Sequence, residues 1–544
     1  MNKISRRRFL RNSGIAGAGL AATWTLPGYS QASGNTARAT LGLAAPRPDF
    51  DRRLFGAFLE HLGRAVYTGV YEPGSPLADS RGFRKDTLKE VKELAVPIMR
   101  YPGGNFVSGY NWLDGVGPKK NRPTVLERAW NSLETNQFGT NDFMDWARAV
   151  GTEPLLGFNL GTGTPEMAVA YVEYCNFARG TKWSDLRRAH GYEQPHKVKY
   201  WCLGNEMDGP WQIGTLTARE YGRKARDIAQ QIRVIDPDLQ LIACGSSAPG
   251  MPTYLQWDRE VLEECYDMVD GISLHCYYGN GETSGGKTER YLAMNLDMER
   301  QIHEISAVCD YVQGIKRSPK KLWLSFDEWN VWYRANQGDH TNGHGKFAPK
   351  LLEETYNLED ALLVGGLLNT LMRRSDRVRV GCLAQIVNVI APLMTSEKGV
   401  LRQSTYHPYA MALKYGHGRV LDLQVEGETY PISAAGLRGS YARDGQVPFV
   451  DVVATYDAAQ KRATVFALNR DLANERELRL DFEDITPSAV LACETLTGTD
   501  LKAFNTFDSP NQVVPAKLDA GKPGAKMTVK LPARSYTVLH LAAS

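Results

Sequence analysis

Two glutamates stand where apolar stretches of the sequence end. Glu206 closes the stretch VKYWCLGNE (198–206), and Glu328 closes KLWLSFDE (321–328). An ionisable side chain at the end of a buried segment is costly unless a function requires it. Two carboxyl groups that flank one bond can divide the work of glycoside cleavage, since one donates a proton to the leaving oxygen while the other attacks carbon or activates water. This pair is the first candidate for chemistry.

Eight apolar runs, alternating with helix-like segments, must position these glutamates. Their near-continuous apolarity is typical of strands buried on both faces of a parallel sheet. The runs are 54–60, 96–104, 154–161, 198–206, 239–247, 271–278, 321–328 and 378–385. This alternation predicts a (β/α)₈ TIM barrel over residues 51–415, with its active site at the carboxyl ends of the strands. An open doubly wound sheet is the alternative, but no Gly-x-Gly-x-x-Gly motif follows the first run.

Other segments flank the predicted barrel. Residues 416–544 consist of short β-rich stretches between turn residues, which predicts a C-terminal antiparallel β-sandwich. Residues 33–50 contain ARATLGLA, which is expected to add a strand to that sandwich. Residues 1–32 combine SRRRFLR, a short apolar run and small residues at 30–32, an order that resembles a twin-arginine signal peptide. The prediction is export to the periplasm or secretion.

Charge and cysteine content exclude several classes of protein. Removing the five basic residues of segment 1–32 from the chain's 64 leaves 59 against 61 acidic residues, a net charge of −2. Such a balance gives no electrostatic footprint for nucleic acid or, after processing, for a membrane. None of the eight cysteines forms a Cys-x-x-Cys pair, so a zinc ribbon is not indicated and the disulfide state stays open.

Polar side chains collect at the carboxyl ends of the predicted strands. They are Glu60, Arg100, Asn105, Asn159, Asn205, Glu206, Ser246, His275, Tyr277, Asp327, Glu328 and Gln385. The aromatic residues of the same loops are Trp112, Trp130, Trp211, Trp329, Trp332 and Tyr333. Flat rings beside carboxylates and amides suit a small polyhydroxylated ligand, because a sugar stacks its C–H face while its hydroxyls need directed partners. For any single tryptophan, packing of helices onto the barrel explains its place equally well, and Glu60 can equally form a salt bridge with Arg100.

Seven segments make the chain resemble glycoside hydrolase family 51, the α-L-arabinofuranosidases. They are FGAFLEHLGRAVYTGVYEPGSP, MRYPGGNFVSGYNW, LETNQFGTNDF, WCLGNEMDGPWQIG, SLHCYYGN, FDEWNVWY and CLAQIVNVIAPLMT, within residues 55–395. The resemblance implies that Glu206 is the general acid/base and Glu328 the nucleophile of a retaining enzyme. Sugar-contacting or supporting positions are implied at Glu60, Arg100, Asn105, Asn205, Tyr277 and Gln385, and wall positions at Trp130 and Trp332. His275 joins this set from its place at a strand end.

The resemblance implies removal of terminal non-reducing α-L-arabinofuranosyl residues from plant polysaccharides or oligosaccharides. Retaining double displacement predicts carboxyl groups about 5 to 5.5 Å apart. Two alternatives stay open, namely an endo-β-1,4-glucanase or xylosidase on the same scaffold, and a carbohydrate-binding barrel without catalysis. The expected partner is an arabinose-containing saccharide, and a homo-oligomer is left open.

No cofactor and no metal are expected. His340 and His344 lie four residues apart in the segment 338–350, but no carboxylate stands at metal-site spacing, so this segment is predicted to line the substrate. Glu153, Asp208 and Asp327 are interpreted as polar support for the site.

Overall fold

The computed structural model describes residues 28–543 except 33, 44–46, 282–283, 336–342 and 435–443. Most of the predicted signal peptide and His340 of the 338–350 segment therefore lie outside the described residues.

A closed barrel of eight parallel strands, arranged in chain order, forms the larger part of the chain. Its strands are Gly56–Phe58, Ile98–Tyr101, Glu153–Gly157, Tyr200–Leu203, Gln240–Ala243, Gly271–Tyr278, Trp323–Val331 and Val378–Leu383. We number them as barrel strands one to eight. Most of their residues are buried, because the strands have the barrel interior on one face and helices on the other. The predicted (β/α)₈ fold is confirmed.

Helices surround the barrel and fill its loops. The α-helices are Lys85–Leu94, Thr140–Val150, Pro165–Asn176, Lys182–Ala189, Ala218–Ile235, Gln256–Cys265, Thr288–Tyr291, Asn295–Lys316, Leu358–Arg373 and Tyr406–Tyr415; the 3₁₀ helices are Arg52–Phe55, Asn105–Gly109, Trp112–Gly115 and Lys119–Asn121. Local sequence sets some of their starts. Thr217 caps the helix Ala218–Ile235 in a capping box with Glu220. Two-stranded ribbons complete the loops: Val125–Leu126 with Leu133–Glu134, Leu393–Ser396 with Gly399–Arg402, and Thr429–Ile432 with Gly445–Pro448.

The second region is a pair of β-sheets. One sheet has the order Tyr29–Gln31, Asp422–Gly427, Thr36–Gly42, Arg476–Phe482, Lys526–Leu531; the other has the order Arg419–Val420, Val450–Asp457, Arg462–Asn469, Ser535–Ala543, Pro487–Leu496, Ala516–Lys517. The six-stranded sheet is antiparallel, as predicted. The five-stranded sheet is mixed, since Thr36–Gly42 runs parallel to Arg476–Phe482. Thr36–Gly42 precedes the barrel in the chain, so no hairpin fixes its direction against that neighbour.

A buried polar network joins the barrel to the sheets. Asp451 accepts hydrogen bonds from Arg470 (2.8 Å) and from Asn295 (2.7 Å), and it also contacts Arg373. Arg373 reaches Glu299 at 2.8 Å. Burial acts against the charge of Asp451, but Arg373 and Arg470 hold its pKa below the usual value. The network therefore fixes how the sheets dock onto the barrel.

All eight cysteines are buried and carry free thiols. In the described part of the chain, no helix has the length and apolarity needed to cross a bilayer.

Candidate active site

Glu328 lies near the carboxyl end of barrel strand seven and is held by two donors. Its Oε2 accepts from Arg100 Nη1 at 2.7 Å, and its Oε1 accepts from the Tyr277 hydroxyl at 2.8 Å. Opposite charge and donated hydrogen bonds both favour an ionised carboxylate. With 7% of its surface exposed, Glu328 is held in one orientation by these donors, yet still faces the barrel mouth. A carboxylate in this state can attack an electrophilic carbon.

Arg100, from barrel strand two, connects Glu328 to the neighbouring amide. Its Nη2 donates to Asn205 Oδ1 at 2.6 Å, and its guanidinium lies 4.6 Å from the centre of the Phe58 ring. Burial opposes its charge, but Asp327 and Glu328 raise the pKa of Arg100 well above its usual value. A permanent positive charge is thereby fixed beneath the site.

Glu206 follows barrel strand four on a strained turn. Its φ of 42° lies in the left-handed region, which residues other than glycine seldom adopt. Its Oε1 lies 2.9 Å from His275 Nδ1, and its Oε2 accepts from the Trp211 indole N–H at 2.7 Å. A carboxylate oxygen of Glu206 and a carboxylate oxygen of Glu328 lie within 4.8 Å of each other. This separation fits a retaining pair, whose carboxyl groups are about 5 to 5.5 Å apart.

His275, on barrel strand six, lies between acidic groups. Its Nε2 is 3.1 Å from Asp327 Oδ1, and its Nδ1 is 3.7 Å from Glu328 Oε2. Burial disfavours the cation, but Glu328, Asp327 and Glu206 together raise the pKa of His275 to about 10. At neutral pH the imidazole is therefore protonated, and it donates to Glu206 and Asp327.

One group in the described residues could hold a metal ion by geometry, namely Glu206, His275 and Glu328, whose ligand atoms lie within 4.8 Å of one another. The cation Arg100 already pairs with Glu328 in this group, so a positive charge stands there without a metal. The expected absence of a catalytic metal stays a prediction.

Glu60 forms a second wall of the pocket together with the amide of Gln385 and the indole of Trp130. Its Oε1 accepts from Phe106 N (2.9 Å) and from Trp130 Nε1 (3.0 Å), and its Oε2 accepts from Gln385 Nε2 at 3.3 Å. Burial and the charge of Glu328 raise the pKa of Glu60 to about 8. The salt bridge considered between Glu60 and Arg100 is replaced by the contact of Arg100 with Glu328.

Asn205 and the aromatic side chains complete the pocket. Asn205 Nδ2 donates to Asn105 Oδ1 at 3.3 Å and to Gln212 Oε1 at 3.4 Å. Trp332 packs edge-on against Tyr277, with ring centres 5.2 Å apart. The residues that the resemblance implies for the site, together with His275, thus lie at one end of the barrel. They are Glu60, Arg100, Asn105, Trp130, Asn205, Glu206, His275, Tyr277, Glu328, Trp332 and Gln385.

Some sequence interpretations fail in detail. Glu153 begins barrel strand three and pairs with Arg53 at 2.6 Å, so it lies at the amino end, away from the site. Trp112 stacks on Tyr171 instead of lining the mouth, and Trp329 is fully buried. The indole contact of Trp211 with Glu206 was not foreseen. The nearness of Trp211 to Glu206 in GNEMDGPWQ was the available signal, but it does not give the direction of the indole.

A closed barrel with paired glutamates ending strands four and seven defines a glycoside hydrolase. The family model of the alpha-L-arabinofuranosidase 1 domain matches residues 90–295, and that of the alpha-L-arabinofuranosidase C-terminal domain matches residues 327–535. The intracellular exo-α-(1→5)-L-arabinofuranosidase 1 of Bacillus subtilis is 45% identical over 91% of this chain and 96% of its own length. A solved family 51 α-L-arabinofuranosidase from Bifidobacterium longum has a TM-score of 0.86 and 40% identity, over 92% of this chain and 99% of its own. The chain belongs to the family 51 α-L-arabinofuranosidases.

The prediction of export is contradicted by these relatives. The Bacillus subtilis protein and relatives from Halalkalibacterium halodurans, Acetivibrio thermocellus and Streptomyces lividans, all 45–46% identical, are named intracellular enzymes. The prediction depended on an arginine cluster before a short, weakly apolar run. Such a pattern contains too few defined positions to outweigh relatives that match about nine-tenths of the chain.

Proposed function

We propose that the protein is an exo-acting, retaining α-L-arabinofuranosidase that removes terminal non-reducing arabinofuranosyl residues from oligosaccharides or polysaccharides. The observation that carries this proposal is the approach of Glu206 and Glu328 to within 4.8 Å across the barrel mouth. The names of the relatives support the arabinofuranosyl group as the sugar that is transferred. An endo-glucanase or xylosidase activity is not favoured by them.

In the first step, a carboxylate oxygen of Glu328 attacks the anomeric carbon. The bond from that carbon to the leaving oxygen breaks, and the leaving oxygen takes a proton from Glu206. Arg100 and Tyr277 hold Glu328 in line, so little reorganisation is needed. The product of this step is a glycosyl ester on Glu328 and a neutral leaving alcohol.

In the second step, Glu206 takes a proton from water as the water oxygen attacks the same carbon. The ester bond breaks, Glu328 leaves as a carboxylate, and arabinose is released with its original anomeric configuration. Asn205, held by Arg100, is placed to bind the sugar 2-hydroxyl, a contact that strengthens as positive charge develops on the ring. Trp130 and Trp332 supply apolar surface, and Glu60 with Gln385 supplies hydrogen bonds to the remaining hydroxyls.

The test is hydrolysis of a chromogenic α-L-arabinofuranoside by the wild type, Glu206→Ala and Glu328→Ala. Glu328→Ala is expected to lower kcat on the order of 10⁴-fold or more. With added azide, Glu206→Ala should form an arabinosyl azide of retained configuration, because the covalent intermediate still forms. Glu328→Ala should form the inverted azide. Glu426→Ala, on an exposed sheet position, is the control and should keep wild-type activity.

Three outcomes would contradict the proposal. Turnover of glucans or xylosides, without turnover of arabinofuranosides, would favour the other specificity. Release of the inverted sugar by the wild type would exclude double displacement. Absence of turnover on all of these substrates would favour a carbohydrate-binding protein.

A further inference from the structure

Trp211 is the most exposed residue that contacts the candidate catalytic pair. Half of its surface, 51%, is open to solvent, although its indole N–H donates to Glu206 Oε2 at 2.7 Å. The ring lies over Gly209, where an added Cβ would come within 2.6 Å of Trp211 Cε2. Gly209 N donates to Glu206 O at 2.8 Å, so one tight turn carries both side chains.

Both carboxylate oxygens of Glu206 are occupied by donors in this structure. His275, which holds Oε1, is only 2% exposed and is fixed from behind by Asp327. Trp211, which holds Oε2, has solvent on its outer side. Of these two donors, the indole is the one that a leaving oxygen can displace, because the imidazole cannot move without breaking a buried contact.

Each half of the proposed reaction needs a different form of Glu206. Glycosylation needs a protonated carboxyl group, and deglycosylation needs an ionised one. A hydrogen bond donated to a carboxylate favours its ionised form. The indole contact thus suits the second half of the reaction and opposes the first.

We propose that Trp211 is a positioning residue that couples the proton on Glu206 to occupancy of the leaving-group site. The proposal rests on the function proposed above. An arriving leaving group displaces the indole from Oε2, and loss of this donor favours the protonated acid. When the leaving alcohol departs, the indole returns to Oε2 and favours the ionised base that activates water.

Other groups also act on the proton of Glu206, so the test must leave them unchanged. Those facing Glu206 are His275, Tyr277, Glu328 and Asp208, with Arg100 and Asp327 behind them. Trp211→Phe removes the N–H but retains an aromatic ring and alters none of these groups. Gly209→Ala keeps the indole and forces it away from Oε2.

The measurement is the pH dependence of kcat/KM and kcat for both variants. kcat/KM is measured on an arabino-oligosaccharide, whose poor leaving group needs the acid. kcat is measured on a dinitrophenyl arabinofuranoside, for which deglycosylation limits turnover. In both variants Glu206 loses one hydrogen bond that favours its charged form. We therefore expect the alkaline limb of the kcat/KM profile to move to higher pH by about one unit, and the acidic limb of the kcat profile to move to higher pH by the same amount. Trp183→Phe, a partly buried indole on the helix Lys182–Ala189, is the control and should move neither limb.

If the rate falls equally at every pH and neither limb of the pH profiles moves, the proposed coupling is wrong and Trp211 has only a structural role. Opposite movement of the limbs in Trp211→Phe and Gly209→Ala would also overturn it, because both changes remove the same contact. Either result leaves the proposed function intact, since that function is judged on the wild type and on the azide products of Glu206→Ala and Glu328→Ala.

Discussion

Two buried networks of arginine and carboxylate differ in how well their charges balance. Between barrel and sheets, Arg373 and Arg470 face Asp451 and Glu299, which is two charges of each sign. In the candidate active site, Arg100 and protonated His275 face four carboxyl groups: Glu60, Glu206, Asp327 and Glu328. Arg470 and Asp451 at the centre of the first network are fully buried, whereas the second network opens at the barrel mouth.

The difference separates a structural use of buried charge from a chemical one. A balanced, fully paired network has one protonation state, and it can only hold its partners together. An excess of acidic groups raises the free energy of full ionisation, so a proton is retained and can be moved between groups. Burial and then the charge of Glu328 raise the pKa of Glu60, so the excess of acid contributes to this shift. Such a site is suited to acid–base chemistry.

Among changes to these two networks that leave Glu206 and Glu328 in place, the largest expected effect comes from removing Arg100 from the site. Arg100→Met should lower kcat about 10²- to 10³-fold, because Glu328 loses the charge that orients it and Asn205 loses its donor. It should also destabilise the fold by about 3–5 kcal/mol, since a buried carboxylate is left unpaired. Steady-state kinetics and urea unfolding give the two values. Arg479→Met, at an exposed sheet position, is the matched control. Wild-type kcat in Arg100→Met would refute the orienting role.

Removing a charge from the balanced network between barrel and sheets should affect stability alone. Asp451→Asn leaves Arg470 buried without its anion and leaves Arg373 with Glu299 alone, and we expect a loss of about 3–5 kcal/mol in the free energy of unfolding. At a temperature where the variant is folded, kcat on an arabinofuranoside should stay within about twofold of wild type. Asp481→Asn, near Lys526 at the sheet surface, is the control and should change stability by less than about 1 kcal/mol. A large fall in kcat without unfolding would show that the two networks are coupled.

The sequence predicted positions better than contacts. Continuous apolarity placed the eight barrel strands, and the carboxyl-end rule then brought Glu60, Arg100, Glu206 and Glu328 together. The sequence could not show that Arg100 pairs with Glu328 rather than with Glu60. Both glutamates lie at the same end of the barrel, and the direction of their side chains determines which one Arg100 contacts. The network around Asp451 was invisible, since its members come from distant segments with no shared pattern. The prediction of export was wrong for a different reason, because short charged motifs are weak evidence.

The smallest expected effect tests the excess of acid directly. Because the pKa of Glu60 is about 8 in the fold and about 4.5 as an ordinary value, the folded state binds more protons than the unfolded state between these pH values. Wild-type stability should therefore fall as pH rises from about 5 to 9, with Glu60 contributing on the order of a few kcal/mol. Glu60→Gln mimics the protonated form, so its stability should fall less over this range, with kcat changed less than about tenfold at neutral pH.

Urea unfolding of both proteins at pH 5 and pH 9 measures this difference, and Glu426→Gln at an exposed sheet position is the control. The mutation and the pH change should interact at Glu60 and not at Glu426, because Glu60 holds a proton in the fold that its carboxyl group releases in the unfolded chain. Parallel losses in wild type and Glu60→Gln would mean that Glu60 is ionised in the fold. Arg100 and His275 would then have to balance all four carboxylates, and the contrast between the active-site network and the balanced network would no longer rest on retention of a proton.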